Sequence, residues 1–112
     1  MTGTAVLVIR RGALHFSREI YERFFNSLDT VVLLRDGDDL VMLPVLNRAA
    51  GGYIIKVSTS AGGRVVTAAD FFRDNGIEDS VEITLLAAWD KDRAALVAGQ
   101  AFGCQLGLQT EM

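Results

Sequence analysis

The feature that most constrains this chain is a partial self-similarity at an offset of fifty residues. The segment from Gly12 to Val31 reads GALHFSREIYERFFNSLDTV, and the segment from Gly62 to Val81 reads GGRVVTAADFFRDNGIEDSV. At that offset Gly12/Gly62, Arg23/Arg73, Asp29/Asp79 and Val31/Val81 are identical. Ser17/Thr67, Tyr21/Phe71, Asn26/Gly76 and Leu33/Ile83 match chemically. A unit used twice predicts two copies of one strand, helix and hairpin arrangement related by a pseudo-twofold.

Local signals fill in each unit. Ala5–Ile9 is a β-branched run that predicts a strand, with a second short strand at Leu14–Phe16. Ser17 is an N-cap for a helix over Arg18–Phe25, with Phe16 and Tyr21 spaced as a hydrophobic staple and Asn26 as its left-handed end. This helix is expected to bury Ile20, Tyr21, Phe24 and Phe25. Thr30–Arg35 and Leu40–Leu46 flank an Asp-Gly tip at residues 36–39 and predict a hairpin, in which Pro44 marks an edge or a bulge. Asn47–Gly52 joins the copies. In the second copy Tyr53–Ser58 and Arg64–Val66 predict strands, Thr67 and Asp70 a capping box, Ala68–Asn75 a helix and Gly76 its C′ residue. Val81–Ala88 is the next strand. Two readings stay open after it: a hairpin through residues 89–93 returning along Ala94–Ala98, or an alanine-rich helix capped by Asp90. The tail from Gly99 to Met112 either packs or frays.

The chain of 112 residues is half hydrophobic and carries a net charge of −3, so it can bury a core as a single domain, with repeat one about 5–46 and repeat two about 53–98. The charge is uneven. Residues 1–50 hold six basic and six acidic side chains, and residues 51–112 hold five and eight. Any anion-binding surface is therefore expected in the N-terminal quarter, which carries Arg10, Arg11, Arg18 and Arg23. A single cysteine, Cys104, excludes an intrachain disulfide; it reads as a buried inert thiol and fits a reducing cytoplasm. No run approaches the ~20 apolar residues of a membrane helix, so a soluble cytoplasmic protein is expected.

The stretch Gly63-Arg-Val-Val-Thr-Ala-Ala-Asp-Phe-Phe-Arg-Asp-Asn-Gly-Ile-Glu-Asp, with Trp89-Asp-Lys after the following strand, resembles the AbrB-like swapped-hairpin family in its tandem, MraZ-like form. The resemblance covers roughly residues 9–46 and 59–98. It implies a β-rich α+β barrel of swapped-hairpin type, duplex DNA as partner, a role in transcription regulation, and assembly into homo-oligomers. Members of the MraZ-like branch carry Asp-x-x-x-Arg ahead of each helix. Here Arg64 keeps the arginine but Ser60 stands at the aspartate, while in the first copy Arg10 stands at the aspartate and Leu14 at the arginine.

Arg10, Arg11 and Arg64 precede the two helices at comparable positions, and pseudo-symmetry would put them on one face to contact phosphates. The competing reading is of solvated arginines in a protein-interaction or assembly module of the same fold that does not bind DNA, for which the acidic balance and the missing aspartates speak. Self-association is expected in either case, through unpaired strand edges carrying residues such as Val41 and Leu43. Arg23 and Arg73 read as helix C-terminal charges, and His15, the only histidine, as an outward structural residue. The Ser58–Gly63 run lacks the Gly-Lys-Ser/Thr ending of a phosphate loop, and Asp36, Asp38 and Asp39 sit on a tip too short to wrap a calcium ion. No metal-ligand spacing, cofactor motif or nucleophile–base arrangement is present, so no cofactor is expected and the chain reads as a non-enzyme.

Overall fold

The computed structural model describes residues 4–25, 28–46 and 52–103. Eight strands and two short helices follow in the order β1 (Thr4–Arg10), β2 (Ala13–Phe16), α1 (Arg18–Phe24), β3 (Thr30–Asp36), β4 (Asp39–Val45), β5 (Tyr53–Val57), β6 (Arg64–Thr67), α2 (Ala69–Asp74), β7 (Glu82–Asp90) and β8 (Ala95–Ala98). The strands close into an antiparallel barrel in the order β1-β2-β6-β5-β3-β4-β8-β7. Residues 101–103 are also helical.

Four hairpins build the barrel, and their turns explain the registers. Arg10 pairs Ala13 across Arg11 and Gly12, both at positive φ (55° and 73°), as a type I′ turn requires. Asp36 pairs Asp39, so the β3–β4 tip is two residues long, with Gly37 at φ 63° in the first central position of a type II′ turn. The expected four-residue tip is shorter because both flanking aspartates join the ladder. Asp90 pairs Ala95 across residues 91–94, which settles the fork after β7 in favour of the hairpin. Asp90 does cap a turn there, accepting from the amides of Asp92 and Arg93, but the turn leads into a strand.

Within each half of the chain the two hairpins share no ladder. β1 and β2 pair outward only with β7 and β6, and β3 and β4 only with β5 and β8. The closure has a second effect. Every strand now has a neighbour on both sides; of the edge residues expected to drive self-association, Val41 is paired with both β3 and β8 and buried, while Leu43 pairs with β3 alone. Pro44 faces β3 at Val31, while β8 leaves β4 after Met42, so the missing amide falls where no ladder asks for one.

Alternation of apolar residues fills the barrel. Ala5, Leu7 and Ile9 of β1 point inward with Ile83, Leu85 and Ala87 of β7, and Leu14, Val66, Ile55, Val31, Leu40, Met42 and Leu96 complete the layer. The helices close over the barrel. In α1 Ser17 accepts from the Ile20 amide at 3.2 Å as expected. The helix ends at Phe24, with Phe25 as C-cap, and Asn26 lies outside the described residues. Only Phe25 of the expected apolar set is fully buried; Ile20, Tyr21 and Phe24 pack half-buried, and both Phe16 and Tyr21 lie against Phe25 (5.3 and 6.3 Å).

The capping box of α2 is a correction. Thr67 is the last residue of β6, paired with Ala13, and Ala68 occupies the cap with no side-chain hydrogen bond. The strand ladder holds Thr67 extended, and the Ala68 amide donates to the Gly12 carbonyl at 2.9 Å, so the helix begins one residue late. Asp70 instead accepts from the Tyr53 hydroxyl at 3.2 Å. The other end follows expectation: Gly76 at φ 90° and Ile77 donate to the Arg73 and Phe72 carbonyls, a Schellman ending with Ile77 buried against the core.

The β1–β2 and β5–β6 turns each reach the opposite half's helix. A Cβ on Gly12 would stand 2.7 Å from the Ala69 Cβ, at the first residue of α2. A Cβ on Gly62 would stand 2.7 Å from Cδ of Arg18, the first residue of α1. After β8 the chain straps the barrel: Phe102, buried, donates its amide to the Asp38 carbonyl at 3.0 Å and lies under the Arg35 guanidinium at 4.8 Å. The tail thus packs as far as residue 103. Residues 47–51 of the junction, and Cys104 with the remaining tail, lie outside the described residues.

Candidate functional site

Strand alternation decides what faces solvent. In β1 the inward set leaves Val6, Val8 and Arg10 on the outer surface. His15 of β2 pairs Val8 and Val65, so it shares that surface, one diagonal step from Arg10. Helix α1 runs beside this strip and adds Glu19, Ile20 and Arg23; the end of the β5–β6 turn adds Ser58, Thr59, Gly63 and Arg64. Together these residues line an open hollow of about 590 Å³.

The hollow is basic on an acidic protein. Arg10, Arg23, Arg64 and His15 line it against the one carboxylate of Glu19. Arg18 and Glu22, at its margin, are exposed and paired with each other at 2.9 Å, so they cancel. Its floor is apolar, through Val6, Val8, Phe16 and Ile20.

The three arginines are held differently. Arg64 starts β6, its guanidinium 4.1 Å over the Tyr21 ring and donating to the Gly62 carbonyl. That cation–π seat fixes the planar fork rather than leaving it to sweep solvent. Arg23 lies 5.6 Å from the Phe24 ring centre, and Phe24 in turn stacks on Trp89 at 5.7 Å. Arg10 stands opposite Glu82 of β7 and, among the described residues, takes no hydrogen-bond or ion-pair partner. His15 is held below its ordinary value of 6.5, first by burial and then by the Arg10 charge, with Glu82 pulling it partly back. Its imidazole is therefore mostly neutral at pH 7, with one ring nitrogen unprotonated.

Of the residues singled out from sequence, the structure brings Arg10 and Arg64 to one hollow and leaves Arg11 out of it. Arg11 is exposed on the β1–β2 turn, which leans on α2. The ladder geometry gives the reason. Arg10 closes β1 on the outer face, whereas Arg64 opens β6 opposite the inward-facing Phe16 and reaches the hollow over the Tyr21 ring, and Arg11 sits in the turn itself. Reasoning from helix position missed Arg23 and His15. The alternation of β1 against β2 carried the signal for His15, which shares the phase of Val8 and Arg10.

The other helix presents a different surface. Near α2 the Tyr53 phenol is pushed up, first by burial, then by the charge and hydrogen bond of Asp70, then by Asp74. Among the described residues no group of three His, Cys, Asp or Glu side chains is placed to hold a metal ion, and no helix is long and apolar enough to cross a membrane.

The arrangement can hold a multiply charged anion by fixed guanidinium charges above an apolar floor. Comparison with family models, with curated proteins and with solved structures gave no match for this chain.

Proposed function

We propose that this chain is a non-enzymatic, AbrB/MraZ-like transcription regulator of the cytoplasm that takes duplex DNA phosphates in the hollow between β1 and α1, through Arg10, Arg23 and Arg64. One observation carries the reading: three arginines and a histidine line one hollow against a single carboxylate, on a chain whose net charge is −3. Arg11 has a lesser part, as a peripheral phosphate contact.

Two further observations support the duplicated ancestry behind the resemblance. Exchanging the names of the halves (β1 with β5, β2 with β6, β3 with β7, β4 with β8) returns the same closed strand order. Gly12 and Gly62, matched in sequence, have the same task of admitting the first residue of the opposite helix. A pseudo-twofold relating the halves follows from this reading.

A second reading, a protein-interaction module, is favoured by Val6 and Leu86. They are cross-strand neighbours on the same outer face, 50% and 71% exposed. Homo-oligomerisation belongs to either reading and would run through such side chains rather than through strand edges.

Fluorescence anisotropy of a mixed pool of labelled duplexes separates the two. Three phosphate contacts predict a log–log salt slope of about −2.7, or roughly 40-fold weaker binding between 50 and 200 mM salt. Arg10→Ala is expected to reduce the slope by about 0.9 while leaving stability unchanged. Flat curves at low salt would refute DNA binding, and a salt-insensitive oligomer lost on Leu86→Glu would establish the interaction module.

A further inference from the structure

We infer that the hollow is a proton-linked anion site: a polyanion docked against Arg10, Arg23 and Arg64 draws a proton from solvent onto the His15 imidazole, so that binding tightens as the medium acidifies. The inference rests on the DNA-binding reading above and adds its regulation. Its basis is placement. His15 projects into the same hollow as the three arginines, from a strand whose two neighbours fix its direction.

The groups around His15 are few. From β1 comes Arg10, from β7 Glu82, from α1 Glu19 and Arg23, from β6 Arg64, and Lys56 of β5 lies one ladder step beyond Val65. Arginines keep their charge at every relevant pH, and ordinary carboxylates stay ionised down to about pH 5. Burial first, and then the Arg10 charge, disfavour the imidazolium, with Glu82 offsetting part of this. A bound phosphate reverses the local field, because its charge is opposite and it sits among the same arginines. Each imidazolium then adds one favourable contact. At about 4 Å in water-like surroundings such a contact is worth roughly fivefold in affinity, equivalent to a rise of about 0.7 in the His15 pKa.

His15 is the only histidine, so its imidazole proton resonances report on it alone. The test titrates them by NMR with and without a labelled 20-base-pair duplex, and measures duplex affinity by anisotropy at about pH 7 and about pH 5.5 in wild type and His15→Gln. The expected result is a His15 pKa raised by about 0.7 on DNA, about threefold tighter binding at the lower pH, and a His15→Gln variant whose affinity does not change on acidification. An unmoved His15 titration, or an equal gain in His15→Gln, overturns this inference while leaving DNA binding intact. No binding at either pH overturns both.

Discussion

Replacing Gly12 by alanine tests the packing of one half's turn on the other half's helix. Two costs arise. Gly12 sits at φ 73°, where an L side chain costs about 1–2 kcal/mol, partly offset by the lower chain entropy of the unfolded alanine variant. The new Cβ would also stand 2.7 Å from the Ala69 Cβ and 2.9 Å from its Cα, contacts that force the turn and α2 apart. Overpacking of this kind costs about 1–3 kcal/mol. The sum, about 2–4 kcal/mol, predicts a fall in Tm of roughly 8–16 °C at about 4 °C per kcal/mol. Gly76→Ala supplies the control. It too is at positive φ (90°), in the left-handed end of α2, but has nothing within 4 Å, so it is expected to lose only about 1 kcal/mol. Thermal and urea unfolding of both variants, with Ala69→Gly and the double mutant Gly12→Ala/Ala69→Gly, isolates the steric part. A coupling of at least about 0.5 kcal/mol is expected between positions 12 and 69. If Gly12→Ala is no worse than Gly76→Ala, the turn does not seat on α2 and the reasoning fails.

Two other perturbations follow from single residues. Ala94 closes the β7–β8 turn at φ 53°, so Ala94→Gly relieves a left-handed alanine and is expected to raise stability by up to about 1 kcal/mol in urea unfolding; a loss would mean the Ala94 methyl is needed. The His15 pKa is depressed in the folded protein, so its contribution to stability is complete above about pH 6.5 and is lost as pH falls through the folded value. Unfolding free energies measured from pH 7 down to pH 5 should fall less steeply in His15→Gln than in wild type, and identical slopes would count against the burial of this side chain.

Much of the fold was legible because its signals are local. Serine at the first helix start, glycine at 76, and the Asp-Gly tip each act through neighbours in sequence, and each appears at or beside its expected place. The second helix start failed for a long-range reason. Thr67 and Asp70 have the spacing of a capping box, but the β2 ladder claims the threonine backbone and Tyr53 claims the aspartate. The site divides the same way. Arg10 and Arg64 stand out as charges, whereas their meeting with Arg23 and His15 depends on which strand lies beside which. The closure of the barrel was expected only from the family resemblance, since open and closed sheets share the same alternation along each strand.

The pairing pattern also dictates how this chain can be divided. Since no ladder joins the hairpins of one half, a cut between β4 and β5 would leave two fragments, each of two hairpins that do not pair with one another. Each fragment holds the missing neighbours of the other, so the pair should assemble by complementation when mixed, as guest and host of one barrel. The covalent junction then serves as a tether that raises effective concentration, and its length and sequence are free to vary over a range that the strands are not.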